Sequence, residues 1–338
     1  MGDRERDDMM LQAASMYYLQ DETMETIARR FDVSRSTVSR LIHQARATGL
    51  VQITVAPQGE NGSRDRALLH DAFGVRCHVV SVNSASSDVQ RLEQVARVAG
   101  RLVSGWMGPN MVLGIAWGTT ISAVVGHFAA RPVPGSVVVQ LNGAGNPRTT
   151  GIPYAGAIIT RAAEAFGAEM HHFPVPTFFD YAETKEAMWR ERSVRSVLEL
   201  QSRVDMAVFG VGSFTGSLGS HVYAGDYLDD DEVDALRKDG VVGDICTVLL
   251  RADGTWADIT LNSRGSGPSP DVLRRIERRV CVAAGLAKVP PLAGAIRAGA
   301  VTDLVADEYT VHAVAEALPT GRFAPRDPRM LHRRRHGL

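Results

Sequence analysis

Residues 33–48 combine positive charge with hydroxyl groups and contain no acid. Arg35, Arg40 and Arg46 supply the charge, His43 stands among them, and short serine and threonine side chains separate them. A helix that enters the major groove of DNA needs this chemistry, because carboxylates repel phosphates and arginine can pair with guanine through two hydrogen bonds. The stretch therefore predicts a DNA-recognition helix, and the alternative that stays open is a surface helix that happens to lack acids.

The side chains of this helix have different predicted roles. Ser34, Ser36 and Thr37 stand at its start and are expected to bond phosphates, as hydroxyls and helix N-termini do. Arg35 and Arg40 are the better candidates for base edges because of their length and their fork of donors. The complete predicted DNA-binding set is Thr23, Ser34, Arg35, Ser36, Thr37, Ser39, Arg40 and His43.

A second kind of chemistry lies in three loops rich in glycine and small polar residues, each directly after a predicted strand. The loops are Ala116-Trp117-Gly118-Thr119-Thr120, Asn142-Gly143-Ala144-Gly145-Asn146-Pro147 and Gly210-Val211-Gly212-Ser213. Ligands of parallel sheets bind at the carboxyl ends of strands, where free N–H groups and hydroxyls suit an anion such as phosphate. None of the loops has the spacing of a Walker A or dinucleotide-binding motif. Each alone is compatible with simple turn chemistry, but their recurrence after three strands favours a binding site.

Two ionisable residues accompany these loops. Lys288, one of three lysines, follows a predicted strand and Gly285, so it is either a partner for a phosphate or carboxylate or an ordinary solvated lysine. Asp244 precedes another predicted strand and either accepts sugar hydroxyls or caps a turn. His171 and His172 are expected to be packing or surface residues, because no Cys, Asp or Glu stands at ligand spacing around them. No metal or cofactor is therefore predicted.

The recognition helix needs a small helical scaffold, and the sequence before residue 56 supplies one. A first helix is predicted over residues 7–19, and a short second helix follows Thr23 as its N-cap. Ser34 caps the third, whose apolar residues recur at i, i+3, i+4 and i+7 from Val38. This order is a helix-turn-helix. Residues 50–55 alternate like a strand and are either a wing-like extension or the lead into a linker.

After residue 63, short β-branched runs alternate with amphipathic helical stretches, the pattern of a mostly parallel α/β sheet with a Rossmann-like arrangement. Predicted strands are Val75 to Val82, Met111 to Ile115, Ser136 to Leu141, Val204 to Phe209, Ile245 to Leu250, Val280 to Ala283 and Val301 to Val305. Residues 56–63 combine Pro, Gly and small polar residues and are predicted as a linker. The predicted organisation is a helix-turn-helix domain over 1–55, this linker, and a ligand-binding α/β domain over 64–320.

Composition and charge agree with a globular protein of two domains. The 338 residues predict about two domains at roughly 150 residues each, and 45% hydrophobic and 22% charged residues exclude fibres and disordered chains. With a net charge of -1, contact with DNA must come from a local patch. Residues 321–338 are predicted as a basic, disordered tail, with a contact to DNA or a partner left open.

Location is predicted from what the sequence lacks. The first residues have no apolar signal region, and the apolar runs are too short to span a membrane. Cys77, Cys246 and Cys281 are an odd number without Cys-x-x-Cys spacing, which argues against a disulfide framework and a zinc site. A cytoplasmic protein without membrane contact is expected.

The order of these motifs resembles the SorC family of bacterial sugar-responsive transcription regulators, over nearly the whole chain. The motifs are Ser34-Arg35-Ser36-Thr37-Val38-Ser39-Arg40-Leu41, Gly118-Thr119-Thr120, Gln140-Leu141-Asn142-Gly143, Gly210-Val211-Gly212-Ser213, Gly243-Asp244-Ile245 and Gly285-Leu286-Ala287-Lys288. No single motif is specific, but their order and spacing together are.

The resemblance implies a winged-type helix-turn-helix joined to a sugar-phosphate-sensing domain related to ribose-5-phosphate isomerases and glucosamine-6-phosphate deaminases. It also implies a homo-oligomer, commonly a tetramer, that binds operator double-stranded DNA. A phosphorylated sugar or polyol would control the affinity of this binding. Gly118, Thr119 and Thr120 would hold the phosphate together with Lys288, and Asp244 would face the sugar. The predicted effector-binding set is Gly118, Thr119, Thr120, Asn142, Gly143, Gly212, Ser213, Asp244 and Lys288.

Two other functions stay open. A sugar-phosphate isomerase-like enzyme fused to a helix-turn-helix would need a general base, and Asp244 is the only good candidate at a strand end, without a second acid–base group beside it. A purely structural oligomerisation domain would have apolar loops, whereas the three loops after the predicted strands contain glycine, threonine and serine. The sequence therefore favours a regulator, not an enzyme.

Overall fold

The structure is a computed structural model that describes residues 3–51, 60–147, 151–217, 219–224 and 227–318. It divides into two compact units, Met1–Ala56 and Pro57–Leu338. The first unit contains the helices α1 (Asp3–Leu19), α2 (Met24–Arg30) and α3 (Arg35–Ala47). Both helix starts predicted from the sequence are confirmed, because the hydroxyl of Thr23 accepts from the Thr26 amide and that of Ser34 from the Thr37 amide, each at 3.2 Å.

A small apolar core holds these three helices together. Ile27 of α2 and Val38 and Ile42 of α3 are completely buried, and α1 contributes Ala13. The apolar stripe predicted for α3 thus faces inward, which leaves its opposite face to solvent. This unit is a helix-turn-helix.

The segment between the units differs in part from its prediction. Residues 50 and 51 are not in a strand, and the rest of the predicted wing or lead-in, 52–55, lies outside the described residues. Helix α4 begins at Glu60, so residues 60–63, predicted as the end of the linker, form its first turn instead. Glycine and serine within a helix are tolerated once the helix packs elsewhere, and composition alone does not show that packing.

The second unit surrounds a sheet with helices. These helices are α4 (Glu60–Phe73), α5 (Asp88–Trp106), α6 (Thr119–Val125), α7 (Gly151–Phe166), α8 (Ala182–Met188), α9 (Arg192–Gln201), α10 (His221–Ala224), α11 (Asp230–Lys238), α12 (Pro270–Leu273), α13 (Val289–Arg297) and α14 (Glu308–Ala317). Short 3-10 turns occupy Thr260–Ser263 and Leu286–Lys288.

The sheet is parallel along its main path, in the order β1-β9-β8-β5-β2-β3-β4. Its strands are β1 (Arg76–Val80), β2 (Val112–Ile115), β3 (Val137–Gln140), β4 (Glu169–His171), β5 (Met206–Ser213), β6 (Val241–Ile245), β7 (Val248–Arg251), β8 (Arg278–Ala283) and β9 (Asp303–Asp307). Apolar cores lie on both faces, with Ile115 and Val208 in one and Phe209 and Cys281 in the other. The predicted α/β class is confirmed.

One predicted strand is wrong. The segment Ile245 to Leu250 is not continuous but crosses from β6 to the antiparallel β7 through a tight turn at Cys246 and Thr247. Both turn residues have left-handed backbones, with φ of 47° and 66°. Such hairpin turns usually contain Gly or Asn, so neither residue signalled the turn. The far end of β5, Val211–Ser213, pairs with β6 and joins this hairpin to the main sheet.

Candidate functional site

The predicted recognition helix presents its polar face to solvent. Ser34, Arg35, Ser36, Ser39, Arg40 and His43 are all exposed, and Thr37 is half-buried. The hydroxyl of Ser34 lies 2.7 Å from that of Ser36 and 2.9 Å from that of Thr37. The Thr37 hydroxyl in turn accepts a hydrogen bond of 3.3 Å from the Arg40 guanidinium. Arg40 is therefore held over the start of the helix by the hydroxyl cluster that caps it.

The electrostatics of this helix start suit an anionic partner. Its first turn carries no acid and begins with Arg35, whereas the first turns of α5 and α11 carry Asp88 and three acids respectively. The N-terminal end of a helix is electropositive, so a cation there costs stability that an acid would restore. A DNA phosphate would supply the missing negative charge. Thr23, the remaining member of the predicted set, is exposed at the start of α2.

A cavity lies in the second unit where β2, β5 and β6 meet the turn before α13. It encloses about 650 Å³ of space between atoms, its open mouth included. Seven of the nine predicted effector-binding residues line it: Gly118, Thr119, Thr120, Asn142, Gly212, Asp244 and Lys288. The three glycine-rich segments therefore meet at one cavity, but residues 210–213, predicted as a loop after the strand, are the last four residues of β5.

Gly143 and Ser213, the other two predicted residues, lie behind the cavity wall. The Gly143 carbonyl accepts hydrogen bonds from the Trp117 indole at 2.9 Å and the Thr177 hydroxyl at 3.0 Å. The Ser213 hydroxyl donates to the Ala287 carbonyl at 2.8 Å. Gly143 thus fixes the Trp117 ring that lines the cavity, and Ser213 fixes the turn that carries Lys288.

Buried polar atoms without partners mark this cavity. Among the described residues, neither Asn142 Oδ1 nor Asp244 Oδ1 has a hydrogen-bond partner, and the buried hydroxyl of Tyr223 has none either. Burial raises the pKa of Tyr223, and the charge of the Asp244 carboxylate and its interaction with the tyrosine hydroxyl add to the rise. An unsatisfied buried polar group costs about 1–3 kcal/mol, so this cluster is stabilised by any ligand that brings hydroxyls to it.

Gly212 makes room for the carboxylate of Asp244. A Cβ atom on Gly212 would stand 1.8 Å from Asp244 Oδ1. The other carboxylate oxygen, Oδ2, accepts the Thr247 amide at 3.0 Å and so stabilises the left-handed hairpin turn. One oxygen of Asp244 is therefore structural, and the other forms no hydrogen bond within 3.5 Å, although the Tyr223 side chain stands near the carboxylate.

Lys288 faces Asp244 without touching it. The two residues form no ion pair within 4.0 Å, although both line the cavity. Burial lowers the pKa of Lys288, and the carboxylates of Asp244 and Asp88 partly offset that change. Burial likewise raises the pKa of Asp244, with Tyr223, Thr247 and Lys288 acting against it. A ligand that reaches both residues would meet an ammonium group and a carboxylate that are not joined in an ion pair within 4.0 Å.

Three residues that line the cavity, Trp117, Ser220 and His221, are not in the predicted set, and neither is Tyr223, which interacts with Asp244. For Ser220 and His221, the run of serine and glycine from Ser213 to Ser220 was the available signal. Trp117 stacks on Tyr227, with ring centroids 5.2 Å apart.

The described part of the chain offers neither a metal-binding cluster nor a membrane-spanning helix. No group of three or more His, Cys, Asp and Glu side chains within it is arranged to hold a metal ion. None of its helices combines the length and apolar character that crossing a membrane requires.

Comparison with known families matched both units. Residues 62–316 match the family described as "Putative sugar-binding domain". Residues 12–48 match "Sigma-70, region 4", and this span includes α2 and α3. The two matches fall on the cavity and on the exposed polar helix respectively.

Individual relatives extend over most of the chain. The "Deoxyribonucleoside regulator" of Bacillus subtilis is 30% identical over 318 residues, which are 94% of this chain and 100% of that protein. The crystal structure of a domain of a possible sugar-binding transcriptional regulator from Arthrobacter aurescens TC1 is 44% identical, with a TM-score of 0.71, and covers 77% of this chain and 100% of that one. Full-length SorC from Klebsiella pneumoniae shares the fold at 22% identity, with a TM-score of 0.69 and coverage of 91% and 98%.

Proposed function

The chain belongs to the SorC family of sugar-binding transcriptional regulators, and on that premise we propose that a phosphorylated sugar or polyol in its cavity controls its affinity for operator DNA. The relatives carry the names of regulators, which supports this function over the isomerase-like enzyme that the sequence left open. A regulator that meets both chromosome and metabolite works in the cytoplasm.

The observation that carries the proposal is the pair of unpartnered oxygens, Asn142 Oδ1 and Asp244 Oδ1, at one cavity. Sugars and polyols supply the hydroxyl donors that such acceptors need. Lys288, Thr119 and Thr120 line the same cavity and offer an ammonium group and two hydroxyls to a phosphate. The proposed ligand therefore has hydroxyls that reach Asp244 and a phosphate that reaches Lys288.

In the proposed DNA complex, α3 enters the major groove. Arg35 and Arg40 contact base edges, whereas Thr23, Ser34, Ser36, Thr37 and Ser39 contact phosphates together with His43. The hydroxyl cluster around Ser34 supports this division, because it holds the Arg40 guanidinium at the N-terminal end of the helix, the part of a recognition helix that meets base edges.

The proposed mechanism has two states. Subunits assemble through the second unit into a homo-oligomer, for which the family resemblance suggests a tetramer, and this assembly sets the spacing of paired recognition helices. The ligand changes operator affinity only as far as its affinities for the two arrangements differ. A tenfold change requires about 1.4 kcal/mol of coupling. Native mass spectrometry measures the number of subunits, and a monomer would contradict this part of the proposal.

A thermal-shift screen tests the ligand. The panel contains ribose 5-phosphate, 2-deoxyribose 5-phosphate, glucose 6-phosphate, sorbitol 6-phosphate and erythritol 4-phosphate, each beside its unphosphorylated form. We expect at least one phosphorylated compound to raise the melting temperature of the wild type and to do so much less for Lys288→Met. The matched control is Lys238→Met, since Lys238 is exposed on α11. A response to the unphosphorylated forms alone would contradict the phosphate assignment.

A double variant separates ligand binding from DNA binding. Thr119→Ala with Thr120→Ala is expected to abolish the response to the phosphorylated compound while DNA affinity stays at the wild-type value. DNA fragments for this measurement come from selection on a random duplex pool with the full chain. Wild-type protein that selects no sequence at low salt would overturn the proposed DNA binding itself.

A further inference from the structure

Strand β9 carries a buried aspartate at each end, and the two aspartates have different surroundings. Asp303 begins the strand and Asp307 ends it, and both are almost fully buried. Asp303 accepts hydrogen bonds from Arg76, at 2.8 and 3.0 Å, and from the Thr302 hydroxyl at 2.9 Å. These partners lie at the end of the sheet away from the cavity, because parallel strands β1 and β9 start there.

Asp307 joins three elements at the other end. Its carboxylate accepts the Gly285 amide at 3.0 Å and the Arg91 guanidinium at 3.2 Å. It also caps α14 by accepting the Thr310 amide at 3.1 Å and the Thr310 hydroxyl at 2.6 Å. The Gly285 amide is shared, since the Thr310 hydroxyl accepts it as well, at 3.0 Å. The start of α14 and the residue that opens the Lys288 turn are thus tied to one carboxylate.

The turn 285–288 is short and held at both ends. Gly285 has a left-handed φ of 94°, which glycine adopts without strain. At the other end, the Ala287 carbonyl accepts the Ser213 hydroxyl at 2.8 Å. Lys288 follows directly and lines the cavity. A ligand that draws the Lys288 backbone inward would therefore strain the hydrogen bonds of Gly285 with Asp307 and Thr310.

Helix α14, which Asp307 caps, packs against α4. Helix α4 is the first described element after the DNA-binding unit. Leu69 of α4 is completely buried in the same apolar core as Val311 and Val314 of α14. The His312 ring nitrogen Nδ1 also lies 2.9 Å from the carboxylate of Asp65 on α4. The two helices therefore share both an apolar contact and an ion pair.

We propose that Asp307 is a positioning residue that transmits occupancy of the cavity from the Lys288 turn, through Thr310 and α14, to α4. The route ends where the chain leads back to the DNA-binding unit, so it would give the two-state mechanism its physical link. This inference rests on the proposed function for its biological meaning, but its contacts and its first test do not require a sugar phosphate.

Hydrogen–deuterium exchange of the full chain tests the route without any added compound. Lys288→Met perturbs the turn, and the readout is amide exchange in α4. We expect Lys288→Met to raise amide exchange over residues 60–73 by about 2- to 30-fold, which is the range of effects that mutations along packed networks have on coupling. In an Asp307→Asn background, the same substitution is expected to add less than twofold.

Asp303→Asn is the matched control. Asp303 is equally buried, paired with an arginine and on the same strand, but it does not touch the Lys288 turn. The full increment from Lys288→Met should persist in this background. If the role of Asp307 were purely structural, Asp307→Asn would raise amide exchange throughout the second unit, and the increment from Lys288→Met would stay intact. Thr310→Val removes the second acceptor of the Gly285 amide and replaces Asp307→Asn if that variant fails to fold.

Three results would overturn the proposal. In the first, amide exchange in α4 does not respond to Lys288→Met. In the second, the increment survives both Asp307→Asn and Thr310→Val, and in the third, Asp303→Asn abolishes it as fully as Asp307→Asn does.

A second measurement uses the DNA fragment selected from the random pool. Lys288→Met should change its affinity at least twofold, and His312→Gln should remove that change. Failure of the wild type to bind DNA would contradict the proposed function, whereas the exchange results would still decide the route.

Discussion

The two candidate sites are built in opposite ways. The DNA-binding residues of α3 come from ten consecutive positions, and their hydroxyls bond to one another within that stretch. The cavity collects residues from β2, β3, β5, β6 and the turn before α13, and it leaves Asn142 and Asp244 oxygens without partners. The first site is a surface that is complete in itself, while the second is an arrangement that a ligand completes. Damage to the first should therefore stay local, and damage to the second should depend on the surrounding fold.

The largest expected effect comes from the core of the first unit. Ile42 is completely buried there, so Ile42→Ala should cost about 2–5 kcal/mol. A unit of this size has little stability to spare, so DNA binding should be lost at 37 °C. Differential scanning calorimetry should show the transition of the second unit unchanged.

Leu19→Ala is the matched control, because that side chain is 82% exposed on α1 of the same unit. It should leave both transitions in place. If Ile42→Ala lowers the melting temperatures of both units equally, the two units do not unfold separately. The contrast between a locally built site and one that depends on the surrounding fold would then fail.

Crowding the cavity should give the next largest effect. Gly212→Ala would place a Cβ against Asp244 Oδ1, and overpacking of this kind costs about 1–3 kcal/mol. The melting temperature should fall, and the thermal shift with phosphorylated sugars should disappear. Gly105→Ala, where a Cβ would meet no atom within 4 Å, should retain both. Unchanged ligand response in Gly212→Ala would place the ligand elsewhere.

The same contrast explains how much of the fold the sequence revealed. The caps Thr23 and Ser34 and the stripe from Val38 are local patterns, and both caps are present. The parallel strands were also recognisable, since β-branched runs in buried strands need no partner to be seen. Strand β4 was missed because it lies at the sheet edge and has only three residues, Glu169–His171, of which the first and last are polar. The β6–β7 hairpin was missed because Cys246 and Thr247 are unusual residues for its turn.

The candidate cavity was predicted by one rule, that glycine, hydroxyl and ionisable residues stand at the ends of predicted strands. Thr119, Asp244 and Lys288 satisfied that rule and line the cavity. Gly143 and Ser213 satisfied it as well, yet their bonds to Trp117 and Ala287 place them behind the wall. Tyr223 could not have been found, because its position beside Asp244 depends on how the segment after β5 folds back. Sequence spacing shows which loops meet, but not which of their atoms face inward.

A substitution on the DNA-binding face should be selective. Arg40→Ala is expected to weaken binding to the selected DNA by about 1–3 kcal/mol if Arg40 reads a base. Its loss also frees the Thr37 hydroxyl that holds it. Fluorescence anisotropy measures the affinity, and the thermal shift with the phosphorylated sugar should equal that of the wild type.

Arg101→Ala provides the control for charge alone, because Arg101 is an exposed arginine of α5 in the second unit. It should leave DNA affinity unchanged. Equal weakening by the two substitutions would mean that net charge, not the recognition helix, determines binding, and it would remove Arg40 from the set that reads bases.

The smallest expected effect comes from the ion pair of His312 on α14 with Asp65 on α4, both in the second unit. The hydrogen bond to Asp65 raises the pKa of His312 above its ordinary value, assisted by Glu316, whose carboxylate lies 3.5 Å away. A histidine with a raised folded-state pKa contributes stability fully below its unfolded pKa, about 6.5, and loses it as pH rises through the folded value. The difference in urea midpoint between wild type and His312→Gln should therefore be largest at pH 5.5 and vanish by pH 9. Because the His312 side chain is 47% exposed, added salt should reduce this difference in urea midpoint. Asp65→Asn should show the same dependence on pH as His312→Gln. A difference that grows toward high pH would contradict the ion pair.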